Sequence, residues 1–336
     1  MAPFVSVVMP NFNTEPIYLR LAINSVLNQS FSDLELIIID DYSENDSLKI
    51  ITEFKDDRIK LLRNEKNLGV ARTLNRGLNL SKGKYIARMD SDDICFSNRF
   101  AEQVRFLEEN NNIDIVGSNV QYIGNRSGFS RFFTNSEEIR CMMLFQSPFN
   151  HPSVMFRSST VNRYSLNYDS TLKAEDYDLW TRCSMIDEIK FANISKILLK
   201  YRIHSKQVSK VNSSTILNDV ATIKKRLLFQ IGYEIHENEL NVFCNFLAND
   251  FNFSTSNVQR ISNILLNVIE LNKNRSFYDA NVLEKVIFRK IQHLKMKSLL
   301  RGNDNYSGIN QFINFFDIQK YKNYWFLRLL LKNIRQ

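Results

Sequence analysis

The chain has 336 residues with 44% apolar and 24% charged side chains, a balance that fits a folded globular protein and argues against wholesale disorder. Its four cysteines (Cys95, Cys141, Cys183, Cys244) are far apart and form no CxxC pair, which argues against a disulfide scaffold or cysteine zinc site and favours a reducing compartment. The net charge of +8 is divided unevenly, with 24 Lys+Arg against 26 Asp+Glu in residues 1–200 and 20 against 10 in residues 201–336, a distribution foreign to a uniformly basic nucleic-acid binder.

The first 120 residues alternate strand and helix. Phe4–Met9 is a β-rich run ending at Pro10, and Glu15–Gln29 carries apolar residues at helical spacing. Leu34–Ile39 is an apolar run suited to a strand buried on both faces, and it stops at Asp40 and Asp41. A helix over Ser47–Lys55, a strand over Ile59–Arg63 and a helix over Gly69–Ser81 follow. The strand Lys84–Ala87 runs into a second acidic cluster, Asp90-Ser91-Asp92-Asp93, before a helix over Phe100–Asn110 and a strand over Asp114–Val116. This order predicts an α/β fold with a mostly parallel sheet flanked by helices. Ligands of such sheets sit beyond the carboxyl ends of the strands, where Asn11, Asn13, Asp40, Asp41, Asp90 and Asp92 all fall.

Between about 129 and 202 the pattern is mixed, with strands at Ser153–Phe156 and Ile197–Tyr201 around a helix at Asp176–Met185. After Ser205 glycine and proline almost vanish, and helices are expected at Thr215–Gln230, Glu237–Asn249, Asn257–Leu271, Asn281–Leu300 and Gln311–Ile334. The polar stretch KQVSKVNSS marks a linker, dividing a catalytic domain at 1–210 from a helical, basic region at 211–336. MAPFVSVVMPNFN lacks the basic start and long apolar core of a signal peptide, and no stretch reaches the roughly 18 apolar residues of a membrane span. A cytoplasmic or peripheral location is expected.

Two carboxylates at i and i+2 past a strand, Asp90 and Asp92, are hard oxygen ligands suited to Mg²⁺ or Mn²⁺, which keep waters and bind substrate phosphates. A solvated acidic turn or helix cap is the plainer alternative. The preceding strand, and the Asp40-Asp41 pair at the same edge, favour the metal reading.

The ordered runs VSVVMPNFN, LELIIIDDYSEND and NLGVARTLNRGLNLSKGKYIARMDSDD, followed by HPSVMFR, AEDYDLW and YRIHSKQVS, resemble glycosyltransferase family 2, inverting enzymes of the GT-A fold. The resemblance covers roughly the first 210 residues and points to enzymes of bacterial O-antigen, capsule or exopolysaccharide assembly. It implies that Pro10, Phe12 and Asn13 line a nucleotide pocket, that Asp41 accepts a uracil N–H with Asp40 in support, and that Arg72 lies near the nucleotide unless it is only an exposed helix arginine. Asp90, with Ser91 beside it, would face the donor and the metal's waters, Asp92 would ligate the metal directly, and Asp93 would stand behind them. Asp176 matches the family's catalytic base, with Glu175 the second candidate. An inverting transfer needs such a carboxylate opposite the leaving group to take the acceptor's proton. Arg202 or His204 would contact the donor diphosphate, or His204 would be a third metal ligand, and His151 would orient a sugar or simply stabilise its turn before Pro152.

Residues 311–336 combine seven aromatic residues with basic ones and a single acid, Asp317. Such a helix suits an anionic membrane surface, although packing on the catalytic domain is the alternative, and no nucleic-acid partner is expected. The resulting expectation is a hexosyltransferase using a nucleotide diphosphate sugar and Mn²⁺ or Mg²⁺, acting on a lipid-linked (polyprenyl diphosphate) sugar acceptor at the inner face of the cell membrane. Two alternatives remain: a sugar-1-phosphate nucleotidyltransferase, against which PNFNTEP lacks the glycine and lysine of a phosphate loop, and a noncatalytic sugar- or membrane-binding scaffold.

Overall fold

In the computed structural model, which describes residues 2–205, 207, 213–246 and 254–300, the expected strand–helix alternation forms one sheet. The first part comprises β1 (Val5–Asn11), α1 (Pro16–Leu27), β2 (Leu34–Asp40), α2 (Ser47–Glu53), β3 (Ile59–Arg63), α3 (Val70–Leu80) and β4 (Tyr85–Arg88). It continues through β5 (Ile94–Cys95), α4 (Arg99–Glu109), β6 (Ile115–Gly124), β7 (Gly128–Phe129), α5 (Ser136–Met142), β8 (Met155–Arg157), α6 (Ser158–Arg163), α7 (Glu175–Ser184) and β9 (Phe191–Ile203). The helices α8 (Ser213–Gln230), α9 (Glu237–Asn245), α10 (Thr255–Arg275) and α11 (Ala280–Leu300) follow.

Nine strands run in the order β3-β2-β1-β4-β8-β6-β9-β5, with β7 paired to β6. The β3-β2-β1-β4 portion is parallel. Beyond it the sheet is mixed: β8 is antiparallel to both β4 and β6, β9 is parallel to β6, and β5 is antiparallel to β9. Every residue of β2 is buried, Glu35 among them, its carboxylate accepting from Ser6 Oγ and ion-paired with Lys60. Gly77 of α3 is in contact with β1, and a Cβ there would lie 2.2 Å from Val8 Cγ1, so only glycine permits the helix to lie this close to the sheet.

Chain order reverses between β1, which pairs with β2 on one side, and β4 on the other. This is the topological switch point at which α/β sheets open a ligand crevice. The loops that line it bend sharply: Asn13 and Tyr42, just past β1 and β2, have positive φ of 49° and 66°. Asn adopts the left-handed region readily, whereas at an aromatic residue such as Tyr42 it is strained, and such strain concentrates at functional sites.

The chain forms two compact units, Met1–Ile223 and Lys224–Gln336, dividing within α8. The helix expected at Gln311–Ile334 lies outside the described residues. No described helix is long and apolar enough to cross a membrane.

Candidate active site

The ends of β1 and β2 are tied together by their own polar side chains. Asn11 Nδ2 donates to Asp40 Oδ1 at 2.8 Å and to Ser43 Oγ at 3.1 Å. Asp40 also accepts from the Ser43 amide at 3.1 Å and faces Arg63 Nε at 3.3 Å. Asn13 braces the same turn, its amide donating to Ser43 Oγ and its side-chain oxygen accepting from Glu44 N, both at 2.9 Å. Asp41, 4% exposed, accepts from Asn64 Nδ2 (2.7 Å) and from the amides of Leu68 and Gly69 (2.8 Å each), anchoring the entry to α3. A carboxylate has about four lone-pair sites, so Asp41 keeps capacity for one further donor. Pro10 is half-buried at the end of β1, and Arg72 is exposed in the first turn of α3. Phe12 stays 50% exposed past β1, and Tyr42, also exposed, has the Arg63 guanidinium 4.9 Å from its ring centre.

At the end of β4 the second acidic cluster closes the crevice. Carboxylate oxygens of Asp90, Asp92 and Asp93, one from each, lie within 4.8 Å of one another. Ser91 Oγ and Thr14 Oγ1 are 2.7 Å apart, linking this loop to the one after β1. Burial first, and then the Asp90 charge, raises the proton affinity of Asp92; the same causes with the Asp92 charge push Asp93 well above the usual carboxylate range. Asp93 Oδ2 is buried without a hydrogen-bond partner. Crowded oxygens, one of them orphaned, fit a divalent Mg²⁺ or Mn²⁺. Asp93, expected behind the ligands, thus joins the cluster itself.

The last turn of β9 folds over these acids. The Arg202 amide donates to Asp93 Oδ1 at 2.7 Å and its Nε to the Asp92 carbonyl at 2.8 Å, while its guanidinium stacks 3.9 Å from the Tyr18 ring centre. His204 Nε2 lies 2.8 Å from Asp92 Oδ2. The predicted residues Asp90, Ser91, Asp92, Arg202 and His204 are therefore brought together, although Arg202 and Asp92 are far apart in sequence.

Glu175 and Asp176 open α7, as expected. Burial, followed by the Asp176 charge, pushes the Glu175 carboxyl up to about 8. Burial also raises Asp176, opposed by the Tyr177 amide and by Arg88. Asp178 is committed elsewhere, to Arg182 Nε at 2.7 Å. His151 is buried, hydrogen-bonded through Nε2 to the Tyr168 hydroxyl at 2.9 Å and edge-on to Trp180. Burial and the Arg88 charge hold it well below the ordinary histidine range, hence neutral.

Sequence reasoning missed Arg88. It ends β4, is 5% exposed, and forms an ion pair with Asp90. Its charge also lowers the proton affinity of Asp92, Asp93, Glu175 and Asp176, so it is the buried cation shared by both acidic groups. The only hint was a basic residue in an otherwise apolar strand just before an acidic run.

Comparison with known proteins agrees with this geometry. The profile described as Glycosyl transferase family 2 matches residues 6–166. An uncharacterized glycosyltransferase of Methanocaldococcus jannaschii is 34% identical over 252 residues, covering 72% of this chain and 82% of that protein. The Escherichia coli UDP-Glc:alpha-D-GlcNAc-diphosphoundecaprenol beta-1,3-glucosyltransferase WfgD is 31% identical over 205 residues, covering 61% of this chain and 79% of its own. Among solved structures, S. aureus TarS 1-349 in complex with UDP-GlcNAc aligns with a TM-score of 0.57 and 18% identity, covering 97% of this chain and 93% of that one. The fold is that of the GT-A transferases. The chain belongs to glycosyltransferase family 2.

Proposed function

We propose that this enzyme transfers a hexose from a UDP-linked donor, with inversion, to a hydroxyl of a lipid-diphosphate-linked sugar in surface polysaccharide assembly. The observation that supports the reading most is the buried Arg88 standing between two carboxylate groups suited to different tasks, one to a cation and diphosphate, the other to a proton. The names of WfgD, which acts on a diphosphoundecaprenol acceptor with UDP-glucose, and of TarS bound to UDP-GlcNAc supply the donor and acceptor classes.

In this reading Phe12 packs against the base and Asp41 uses its remaining acceptor capacity on a base N–H. Pro10, Asn13 and Asp40 hold the pocket's shape, and Arg72 borders the nucleotide. Asp92, Asp90 and His204 would hold the divalent ion, with Asp93 in the same cluster and Ser91 and Arg202 facing the diphosphate. When bound, the ion neutralises charge that accumulates on the departing nucleoside diphosphate. Asp176 accepts the proton of the attacking hydroxyl as its oxygen bonds to the anomeric carbon and the carbon–oxygen bond to the diphosphate breaks on the opposite face. His151, neutral and locked to Tyr168, stiffens the wall behind the sugar. The aromatic, basic residues 311–336 would meet an anionic membrane surface, where the lipid acceptor resides.

Transfer from a radiolabelled UDP-sugar to a synthetic lipid diphosphate-sugar tests this directly. Asp92→Ala and Asp176→Asn should each abolish it, with Asp176→Asn still binding UDP and Mn²⁺ in a calorimeter. Normal turnover by either variant removes that residue from its role.

A further inference from the structure

The helix that carries the acid pair has an unusual start. The N-cap residue of α7 is Ala174, which has no side chain able to accept a hydrogen bond, and no side-chain cap is present. Helices normally satisfy their first amides with Ser, Thr, Asp or Asn at that position. A carboxylate from a different helix instead holds the two residues that lead into it. Asp219 of α8 places a single carboxylate oxygen, Oδ2, 2.5 Å from the Lys173 amide and 3.2 Å from the Ala174 amide, the two residues immediately before Glu175. The preceding loop is held at its other end by Asn75 of α3, whose side-chain amide exchanges two hydrogen bonds with the Tyr168 backbone, each 2.8 Å. Within the loop, Asp169 Oδ1 accepts from the Thr171 amide at 2.8 Å, so the span between the two anchors is internally braced.

We infer that Asp219 is a positioning residue: a carboxylate on α8 that holds the two peptide groups leading into α7, sets the direction in which that helix begins and thereby aims Asp176 at the acceptor hydroxyl. This rests on the proposed role of Asp176 as base. Three points carry it. Both amides converge on one charged oxygen, and charge-assisted hydrogen bonds are the stronger kind. The peptide groups so held adjoin the acid pair with no intervening residue, so an error in their orientation passes directly to Glu175 and Asp176. A carboxylate at a helix N-terminus also interacts favourably with the helix dipole, so this contact stabilises the start of α7 rather than merely occupying it. Because α8 follows the polar stretch 205–212, the arrangement ties the base to the first helix after the strand-built part of the chain.

The test uses the full-length chain with three variants. Asp219→Ala removes the acceptor shared by both amides, Asp219→Asn keeps an acceptor oxygen without the charge, and Asn75→Ala loosens the far anchor of the loop. Initial rates are measured across donor and acceptor concentrations, and UDP binding with Mn²⁺ is measured by calorimetry. Misplacement of a reacting group by about 1 Å costs on the order of 100-fold in rate. We expect kcat of Asp219→Ala to fall about 10- to 100-fold, with unchanged UDP affinity and donor KM, and Asp219→Asn to recover most of that loss. A purely structural role would lower melting temperature and folded fraction without this kcat-against-KM split or rescue. Wild-type kcat in Asp219→Ala overturns the inference. If that variant does not fold, an Asp219→Asn protein in which the Lys173 and Ala174 amides exchange faster than in wild type while kcat stays unchanged overturns it equally. Failure of the wild type to bind UDP with Mn²⁺ would instead overturn the proposed function, so the two failures are distinguishable.

Discussion

Glu175 and Asp176 are adjacent carboxyls, and the proposed mechanism gives them different tasks according to their affinity for a proton. Glu175, 7% exposed and raised from 4.5 to about 8, is about nine-tenths protonated at pH 7. A protonated Glu175 places no like charge beside Asp176, the carboxylate that the proposed mechanism uses as base. Glu175→Gln replaces the protonated acid by a neutral group of the same shape, so transfer at pH 7 should stay within a few-fold of wild type, whereas Asp176→Asn should lose it. Stability supplies a second reading. A carboxyl whose folded pKa lies above its unfolded value contributes stability below the unfolded value and loses it as pH rises through the folded one. For Glu175 that window runs from 4.5 to about 8, and at 1.36 kcal/mol per pH unit the wild type should lose roughly 5 kcal/mol across it. Glu175→Gln should not share this loss, so its advantage over wild type should grow between those limits. Urea unfolding at pH 5, 7 and 9, beside pH–rate profiles of both proteins, measures both effects. If Glu175→Gln is as inactive at pH 7 as Asp176→Asn, or if the two proteins keep a constant stability difference over the whole range, the division of labour is refuted.

Arg88→Met removes the buried cation from among Asp90, Asp93, Glu175 and Asp176. Breaking a buried ion pair on one side costs about 3–5 kcal/mol, and Mn²⁺ should restore part of it by neutralising the acids left behind. Thermal melts with and without Mn²⁺ should show a larger metal-induced rise for the variant than for wild type; equal rises would mean that Arg88 does not balance the cluster. Gly77→Ala places a methyl carbon 2.2 Å from Val8 Cγ1 and should destabilise by about 1–3 kcal/mol through overpacking, read as a lowered urea midpoint. An unchanged midpoint would show that α3 is free to lift from the sheet.

Where the fold was legible in the sequence, the signal was local. Leu34–Asp40 announced itself as a buried strand, and the acids at its end and after β4 marked the ligand edge. Strands whose existence depends on distant partners were shortened or missed. β9 runs from Phe191 to Ile203, yet only Ile197–Tyr201 reads as a strand, because Asn193 and Lys196 interrupt the apolar pattern and the pairing with β6 shifts register between Ser118 and Val120. β5 is two residues long and is defined by pairing with Leu199 and Lys200 rather than by its own composition. The antiparallel insertion of β8 between β4 and β6 was equally invisible, since its three residues carry no topology. The site divides in the same way. Acidic motifs are short and could be read directly, whereas Arg88 matters because Glu175 and Asp176 come near it, and Asp219 matters because it holds the two amides that lead into their helix.

The place of β4 in the sheet bears on how this protein is born. One edge of β4 pairs with β1, and β1, β2 and β3 all precede it in the chain, so the parallel half can assemble as soon as Arg88 has emerged. Its other edge waits for β8, which begins only at Met155. At synthesis rates of roughly 5–20 residues per second, that edge stays open for several seconds, with unpaired amides beside a loop of three carboxylates. An open strand edge is a template for pairing with another chain. The negative charge of the Asp90–Asp93 loop discourages such pairing among nascent chains by mutual repulsion, so the residues read here as a cation site would also act as gatekeepers during translation.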